Sequence, residues 1–240
     1  MAQPSVFGIF GFSGDGWGLL LLTGAALTVA VALCGFALGA VLGGLGAWAK
    51  IAGGRGARAA AETYTTVLRG IPELLVIYLF YFGGSAAVTA IGQWLGADGF
   101  VGIPGFLAGV LAVGFTSGAQ QTEVFRGAYH AVARGEIEAA VACGMPRALR
   151  LRRIVAPLVL RYALPGLGNV WQTVLKAAAL ISVTGVADLL RQAQVGAGST
   201  GLPFDFYVVA ACAFLAISAV SGWALNVAER FYSRGLRQGR

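Results

Sequence analysis

Before Lys50 this chain of 240 residues contains no lysine or arginine, and from Leu19 to Trp48 it is a nearly unbroken run of apolar and small residues. A helix over that run is roughly 45 Å long at about 1.5 Å per residue, more than the ~30 Å hydrocarbon core of a bilayer. A soluble fold has nowhere to bury such a rod. The rest of the chain agrees. Apolar residues make up 58% and charged residues 11%, against roughly 25% charged in soluble domains. Mean hydropathy is +0.77. The 37 glycines, costly in soluble helices, suit membrane helices that pack at close range. The chain therefore reads as an all-α, multispan membrane protein.

Further apolar runs predict a second span from about Thr66 to Gly83-Gly84, a third over about Ile103–Val124, a fourth over about Pro157–Val183 and a fifth over about Phe204–Val227. The aromatic end of the second span (Tyr78, Phe80, Tyr81, Phe82) suits the membrane interface, and Ala86–Leu95 reads as a short interfacial helix. About five transmembrane helices follow, within one domain over 1–240 whose helical core is 17–233. Basic residues fall in three clusters: Lys50, Arg55 and Arg58; Arg126, Arg134, Arg147, Arg150, Arg152 and Arg153; and Arg230, Arg234, Arg237 and Arg240. The positive-inside rule places all three in the cytoplasm, so the N-terminus lies outside (periplasmic) and the C-terminus inside. Connections two and four carry only Asp98, Asp188, Arg191 and Asp205 as charges, which agrees.

Several function classes are disfavoured. The net charge of +7 does not read as a nucleic-acid footprint, because the clusters flank apolar spans and hold no aromatic platform. Met1–Asp15 lacks the basic region of a signal peptide. Cys34, Cys143 and Cys212 have no paired or metal-type spacing and read as ordinary buried thiols. A membrane-embedded enzyme would need a nucleophile–base pair, a carboxylate dyad or a metal cluster, and the pattern offers none. His130, the only histidine, reads as a surface residue. There is no GxxxxGK[ST] loop, so no nucleotide-hydrolysing site is expected in the chain. An ion-driven solute carrier or channel stays open as the alternative to a driven permease, although no internal repeat supports it.

Between the third and fourth spans lies the polar stretch 134–156. From Arg134 to Ala142 it is alanine-rich and helix-favouring, Gly144 suits a helix stop, and Met145-Pro146 starts a second short helix running to about Ile154. Pro157 then fits the first turn of the fourth span, and Glu138 lies one turn from Arg134, within pairing reach. Helix, glycine break, helix makes a rigid projection able to transmit force. An alternative is that Arg147, Arg150, Arg152 and Arg153 bind anionic lipid head groups.

Glu138-Ala139-Ala140, Gly144, Ile154 and Pro157 resemble, at their spacing, the cytoplasmic EAA loop of bacterial ABC importer permeases. Ala156 stands where that family often has Leu. Four further segments resemble the polar amino-acid subfamily, of histidine/octopine/nopaline type: Arg69-Gly70-Ile71-Pro72-Glu73-Leu74-Leu75-Val76, Glu123-Val124-Phe125-Arg126-Gly127-Ala128, Leu164-Pro165-Gly166-Leu167-Gly168-Asn169-Val170-Trp171 and Ser182-Val183-Thr184-Gly185. The resemblance implies the type I importer permease fold. It implies a transmembrane subunit of an ATP-driven importer for polar or basic amino acids or opines in the bacterial inner membrane. It implies that Glu138, Ala139, Ala140, Gly144, Ile154 and Pro157 couple the chain to a separate ATPase. The partners implied are a second permease, an ATP-binding subunit dimer and an extracytoplasmic solute-binding protein. On this reading the chain binds no cofactor, and ATP and Mg are used by the partner ATPase.

Ionisable groups in spans cost roughly 2.5–3.5 kcal/mol each on insertion scales, so each needs a reason. Arg69, Glu73, Gln120, Glu123 and Lys176 are the candidates for the substrate path. Arg69 and Glu73 are one turn apart around Gly70-Ile71-Pro72, where the helix is interrupted. They either face a wet cavity or pair to stabilise the fold near the inner interface. Glu123 either meets a substrate ammonium or pairs with Arg126 or Arg69. Lys176 lies midway along the fourth span, deep enough to require a partner. The resembled family commonly has Asp after this Lys, then Ser or Thr; here Ala177 and Ala178 follow. That missing carboxylate implies a non-identical second permease.

Overall fold

In the computed structural model, residues 9–12, 16–96 and 99–233 are described, with the side chain of Ser233 excepted. Asp98, Arg234, Arg237, Arg240 and most of Met1–Asp15 lie outside them. The helices are α1 (Gly18–Ala52), α2 (Arg55–Gly70), α3 (Glu73–Trp94), α4 (Gly105–Ala131), α5 (Arg134–Ala142), α6 (Arg147–Thr184), α7 (Leu189–Thr200) and α8 (Pro203–Ser233). Four of them, α1, α3, α6 and α8, are long and apolar enough to cross a membrane. The expected third span lies in α4, whose 27 residues are long enough but less apolar. The reason is its surroundings: Thr116, Ser117, Gln121 and Thr122 are buried in protein, so this helix need not be lipid-like.

Two expected boundaries are corrected. The second span does not begin at Thr66. Helix α2 stops at Gly70, Ile71 is extended, Pro72 precedes the first turn of α3, and α3 starts at Glu73. Pro72 disfavours helical geometry at the residue before it, which sets the stop. Nor does the span end at Gly83-Gly84. Both glycines keep right-handed helical dihedrals, a π-helical turn over Leu79–Gly83 absorbs the irregularity, and the helix runs on to Trp94. The segment Ala86–Leu95 is the end of α3, not a separate interfacial helix.

The chain divides into two compact units, Met1–Gly35 with Pro72–Val113 and Val174–Ala219, and Phe36–Ile71 with Gly114–Thr173 and Val220–Arg240. In the first unit the core gathers on Phe206, which is fully buried beside Leu189, Ala193 and Leu21. The rings of Phe10 and Trp17 pack on it at 4.9 and 5.6 Å. Gly24 lets α1 meet the backbone of Asp188 and Leu189, and Thr28 Oγ1 accepts from the Leu189 N–H at 3.2 Å.

In the second unit α1 packs directly on α4. A Cβ on Gly43 would sit 2.7 Å from the Gln121 Cβ and 3.1 Å from backbone, so only glycine permits this approach. Gln121 Nε2 donates to the Phe36 carbonyl at 3.1 Å, and Trp171 packs edge-on against Phe36. Tyr64 on α2 donates its hydroxyl to the Phe115 carbonyl at 2.7 Å, and burial pushes its pKa up to about 12. Replacing Gly43 by Leu is expected to cost about 1–3 kcal/mol by overpacking. Unchanged thermal stability of the detergent-solubilised variant would refute this close contact.

The three cysteines are free but exposed, not buried. Cys34 and Cys212 point outward from membrane-capable helices, where an apolar environment exists without protein around it. Trp48, Trp94 and Trp223 are likewise exposed, as interface anchors would be, whereas Trp17 and Trp171 pack inward.

Candidate functional site

The segment after α4 is built by its termination signals. Helix α5 ends in a Schellman motif: the Met145 N–H bonds to the Ala140 carbonyl at 3.1 Å and the Gly144 N–H to the Val141 carbonyl at 2.9 Å. Gly144 has φ +74°, the left-handed conformation that this closure requires and that L side chains disfavour. Pro146 precedes the first helical residue of α6, Arg147. From there the structure departs from expectation. The second short helix does not stop before Pro157; it is the start of one continuous helix running to Thr184. A proline inside a helix lacks an N–H and crowds the carbonyl four residues back. A π-helical turn over Leu151–Val155, just before it, widens the helix there and accommodates the ring.

Where α5 folds back on the base of α6 there is a cleft of about 510 Å³. Ala139, Ala140, Met145, Ile154, Pro157 and Leu158 give it apolar walls, and Glu136 and Arg153 supply its charges. Four of the six expected coupling residues thus share one cleft. Glu138 and Gly144 do not line it; both are exposed. The anticipated pairing of Glu138 with Arg134 is not made, and both side chains are exposed.

The polar residues of α4 form a second cluster in the same unit. Glu123 Oε1 accepts from Lys50 Nζ at 2.6 Å, and its Oε2 from Arg126 at 2.8 Å. Lys50 also donates to Thr65 Oγ1 at 2.7 Å. The Lys50 side chain is only 8% exposed and that of Glu123 23%. Of the two expected pairings for Glu123, the one with Arg126 is present. The sequence alone marks Lys50 only as one charge in a cytoplasmic cluster. Lys50 and Arg126, but not Glu123, line a polar cavity of about 560 Å³ together with Arg58, Glu62 and His130.

The other candidates are dispersed. Arg69 is exposed at the end of α2, and Glu73 begins α3 across the Ile71-Pro72 break, so the two do not share a continuous helix. Gln120 is partly buried, while its neighbour Gln121 is the fully buried amide. The signal for Gln121 was available: Gly114, Ser117, Gly118 and Thr122 mark its helix face as the small-residue, closely packed one. Lys176 is exposed on α6, with Ala177 and Ala178 buried beside it. It has no side-chain partner in the described chain.

Asp188, read only as a loop charge, is 1% exposed. Its Oδ1 caps α7 through the Arg191 N–H at 2.9 Å, while Oδ2 is without a partner. Burial raises its pKa from 3.8 to about 6. Folding therefore favours the protonated carboxyl. Its contribution is greatest below the unfolded value and is lost as pH rises through about 6, a span worth about 3 kcal/mol at most. We expect a higher unfolding midpoint at pH 5 than at pH 8. Asp188→Asn keeps a capping side chain and should flatten that slope; an unaltered slope in the variant would assign it to other groups.

Residues 44–234 match the family described as binding-protein-dependent transport system inner membrane component. The chain belongs to that family. It is 54% identical over 231 residues to the octopine transport system permease protein OccQ of Rhizobium meliloti, covering 96% of this chain and 98% of the relative. It is 47% identical to the nopaline transport system permease protein NocQ of Agrobacterium fabrum, over 92% of this chain and 94% of that one. It is 40% identical to the histidine/lysine/arginine/ornithine transport system permease protein HisQ of Salmonella typhimurium, over 96% and 98%. Among solved structures, an amino acid ABC transporter crystallised with histidines superposes with a TM-score of 0.75 at 30% identity, over 89% of this chain and 94% of that one. The methionine transporter MetNI, at 16% identity and a TM-score of 0.67, shares the fold. This permease is thus a multipass inner-membrane component of an ABC importer, a system with an ATPase and a binding protein.

Proposed function

We propose that this permease carries polar or basic amino acids, or the opines derived from them, and that residues 134–156 form the cytoplasmic face on which the ATPase docks. The observation that supports the coupling role most directly is the fixed stop at Gly144. It holds α5 against the base of α6 and places Ala139, Ala140, Ile154 and Pro157 in one cleft. A push on α5 then bears on a helix that is continuous to Thr184. On this reading the chain hydrolyses no nucleotide and binds no cofactor, and ATP and Mg belong to the partner ATPase. The N-terminus is periplasmic and the C-terminus cytoplasmic. The substrate class rests on relatives named for octopine, nopaline and histidine/lysine/arginine/ornithine transport.

The second permease is non-identical. Lys176 supports this: an exposed, unpaired ammonium within a membrane-capable helix needs a counter-group, and Ala177 stands where the family commonly has Asp. Lys176→Ala should reduce assembly or transport by about tenfold, equivalent to ~1.4 kcal/mol. Wild-type behaviour in both would make Lys176 incidental. The function itself is tested in proteoliposomes holding this chain, its partner permease, the ATPase and the binding protein. ATP-dependent accumulation of labelled octopine, arginine or histidine is expected. Uptake that persists without the ATPase would establish an ion-driven carrier instead.

A further inference from the structure

Helix α3 runs from Glu73 to Trp94, 22 residues, and is about 33 Å long at ~1.5 Å per residue. That only just spans the ~30 Å hydrocarbon core of a bilayer. Tyr78, Tyr81 and Phe82 lie roughly 8–14 Å from its start. They are therefore at membrane depth, not at the end of a span, where tyrosines collect as interface anchors. Trp94 occupies that end and is 85% exposed. The three rings gather on one side of the helix. Phe82 is 62% exposed; its ring is 5.0 Å from that of Tyr81, nearly edge-on at 73°, and 5.7 Å from that of Tyr78. Both tyrosines are partly buried, and neither hydroxyl makes a hydrogen bond within the described residues. The π-helical turn Leu79–Gly83 carries Tyr81 and Phe82, and such turns recur at functional sites.

Two phenolic hydroxyls without partners are costly against lipid tails, so a lipid-facing belt does not account for this patch. A wet path through the membrane does. Aromatic ring faces attract cations, and more strongly where water is excluded. A path for basic solutes needs such a surface in this chain, because the exposed Lys176 repels cations and Ala177 beside it offers no carboxylate. We propose that Tyr78, Tyr81 and Phe82 form a shelf in the translocation path that takes the guanidinium or ammonium group of a basic solute. Phe82 supplies the open ring face. Tyr78 and Tyr81 form its rim, and their hydroxyl oxygens accept from the N–H groups of the solute. The proposal rests on the reading of this chain as a permease for basic amino acids or opines, and it adds the residues that select the cation. A helix of the second permease seated on the same patch would use the bulk of the rings but not their charge distribution.

That difference is the test. Labelled arginine or octopine, both bearing a guanidinium, is taken up into proteoliposomes holding the complete transporter, with ATP and saturating binding protein. Phe82 is replaced in turn by mono-, di- and trifluorinated phenylalanine, which keep its shape while draining negative charge from the ring face. Uptake should fall stepwise, by about tenfold at the most fluorinated ring. Phe82→Leu should lose about as much, and Phe82→Trp, with the strongest cation-binding ring, should keep the wild-type rate. Trp94→Leu, at the far end of the helix, should leave uptake unchanged. Uptake indifferent to fluorination, or an equal loss in Trp94→Leu, would overturn the shelf while wild-type uptake still upheld the transport reading. Uptake of neither solute by the wild type would sink that reading and the shelf with it. If Phe82→Leu does not assemble, the fluorinated series decides: a flat series beside that failure would make the patch a seam between permeases.

Discussion

Gly144→Arg is expected to leave the permease in the membrane and to lower ATP-driven uptake by about two orders of magnitude, a loss of ~2.7 kcal/mol in the coupled step. Two effects combine. The backbone at φ +74° costs an L residue about 1–2 kcal/mol, which slackens the closure of α5 on α6. In addition, a Cβ at Gly144 meets nothing within 4 Å, so the new side chain projects outward rather than into the protein. There it obstructs whatever docks on the exposed loop. Gly144→Ala separates the two, since it carries the backbone cost without the bulk. A much milder defect in Gly144→Ala assigns the loss to docking, and equal defects assign it to the turn. Normal uptake by Gly144→Arg would contradict the coupling role of this loop.

Glu123→Ala is expected to be the most destabilising single change in the second unit, by about 3–5 kcal/mol, because it strands a buried ammonium. Lys50, 8% exposed, would keep only the Thr65 hydroxyl. The converse change is milder: in Lys50→Met the carboxylate retains Arg126, and the long apolar side chain fills the space. For a chain of this size Glu123→Ala should lower the unfolding midpoint in detergent by roughly 10 °C, and Lys50→Met should lower it less. Equal losses would show that Glu123 and Lys50 act only as a pair. A shift within error for Glu123→Ala would show the triad to be solvated.

Where a single physical signal dominated, the sequence was readable. The apolar run Leu19–Trp48 became α1 within a few residues, and the alanine-rich stretch with its glycine became α5 and its Schellman stop. Errors arose where two signals competed. Gly83-Gly84 reads as a terminator, yet a membrane-capable helix tolerates glycine, and α3 runs on to Trp94. Pro157 reads as a helix start, yet a π-helical turn carries α6 past it. The Lys50–Glu123 contact links positions 73 apart, and no local pattern encodes it. Gln121 rather than Gln120 turned inward, a choice made by the glycine face of α1. Half of the candidate site, the α5 cleft, was therefore legible as a local motif. The rest depended on partners distant in the chain.

The widened turn over Leu151–Val155 also acts as a slack in length: its five residues turn through about the arc that four would cover in a regular helix, where each advances the azimuth by about 100°. Losing one residue inside that turn would restore ordinary winding and leave the faces on either side in register. Losing one from the regular stretch Arg147–Arg150 has no such outlet and would swing Ile154 and Pro157 by about 100° away from Ala139 and Ala140. A change of chain length is therefore tolerated at one place in this segment and damaging beside it.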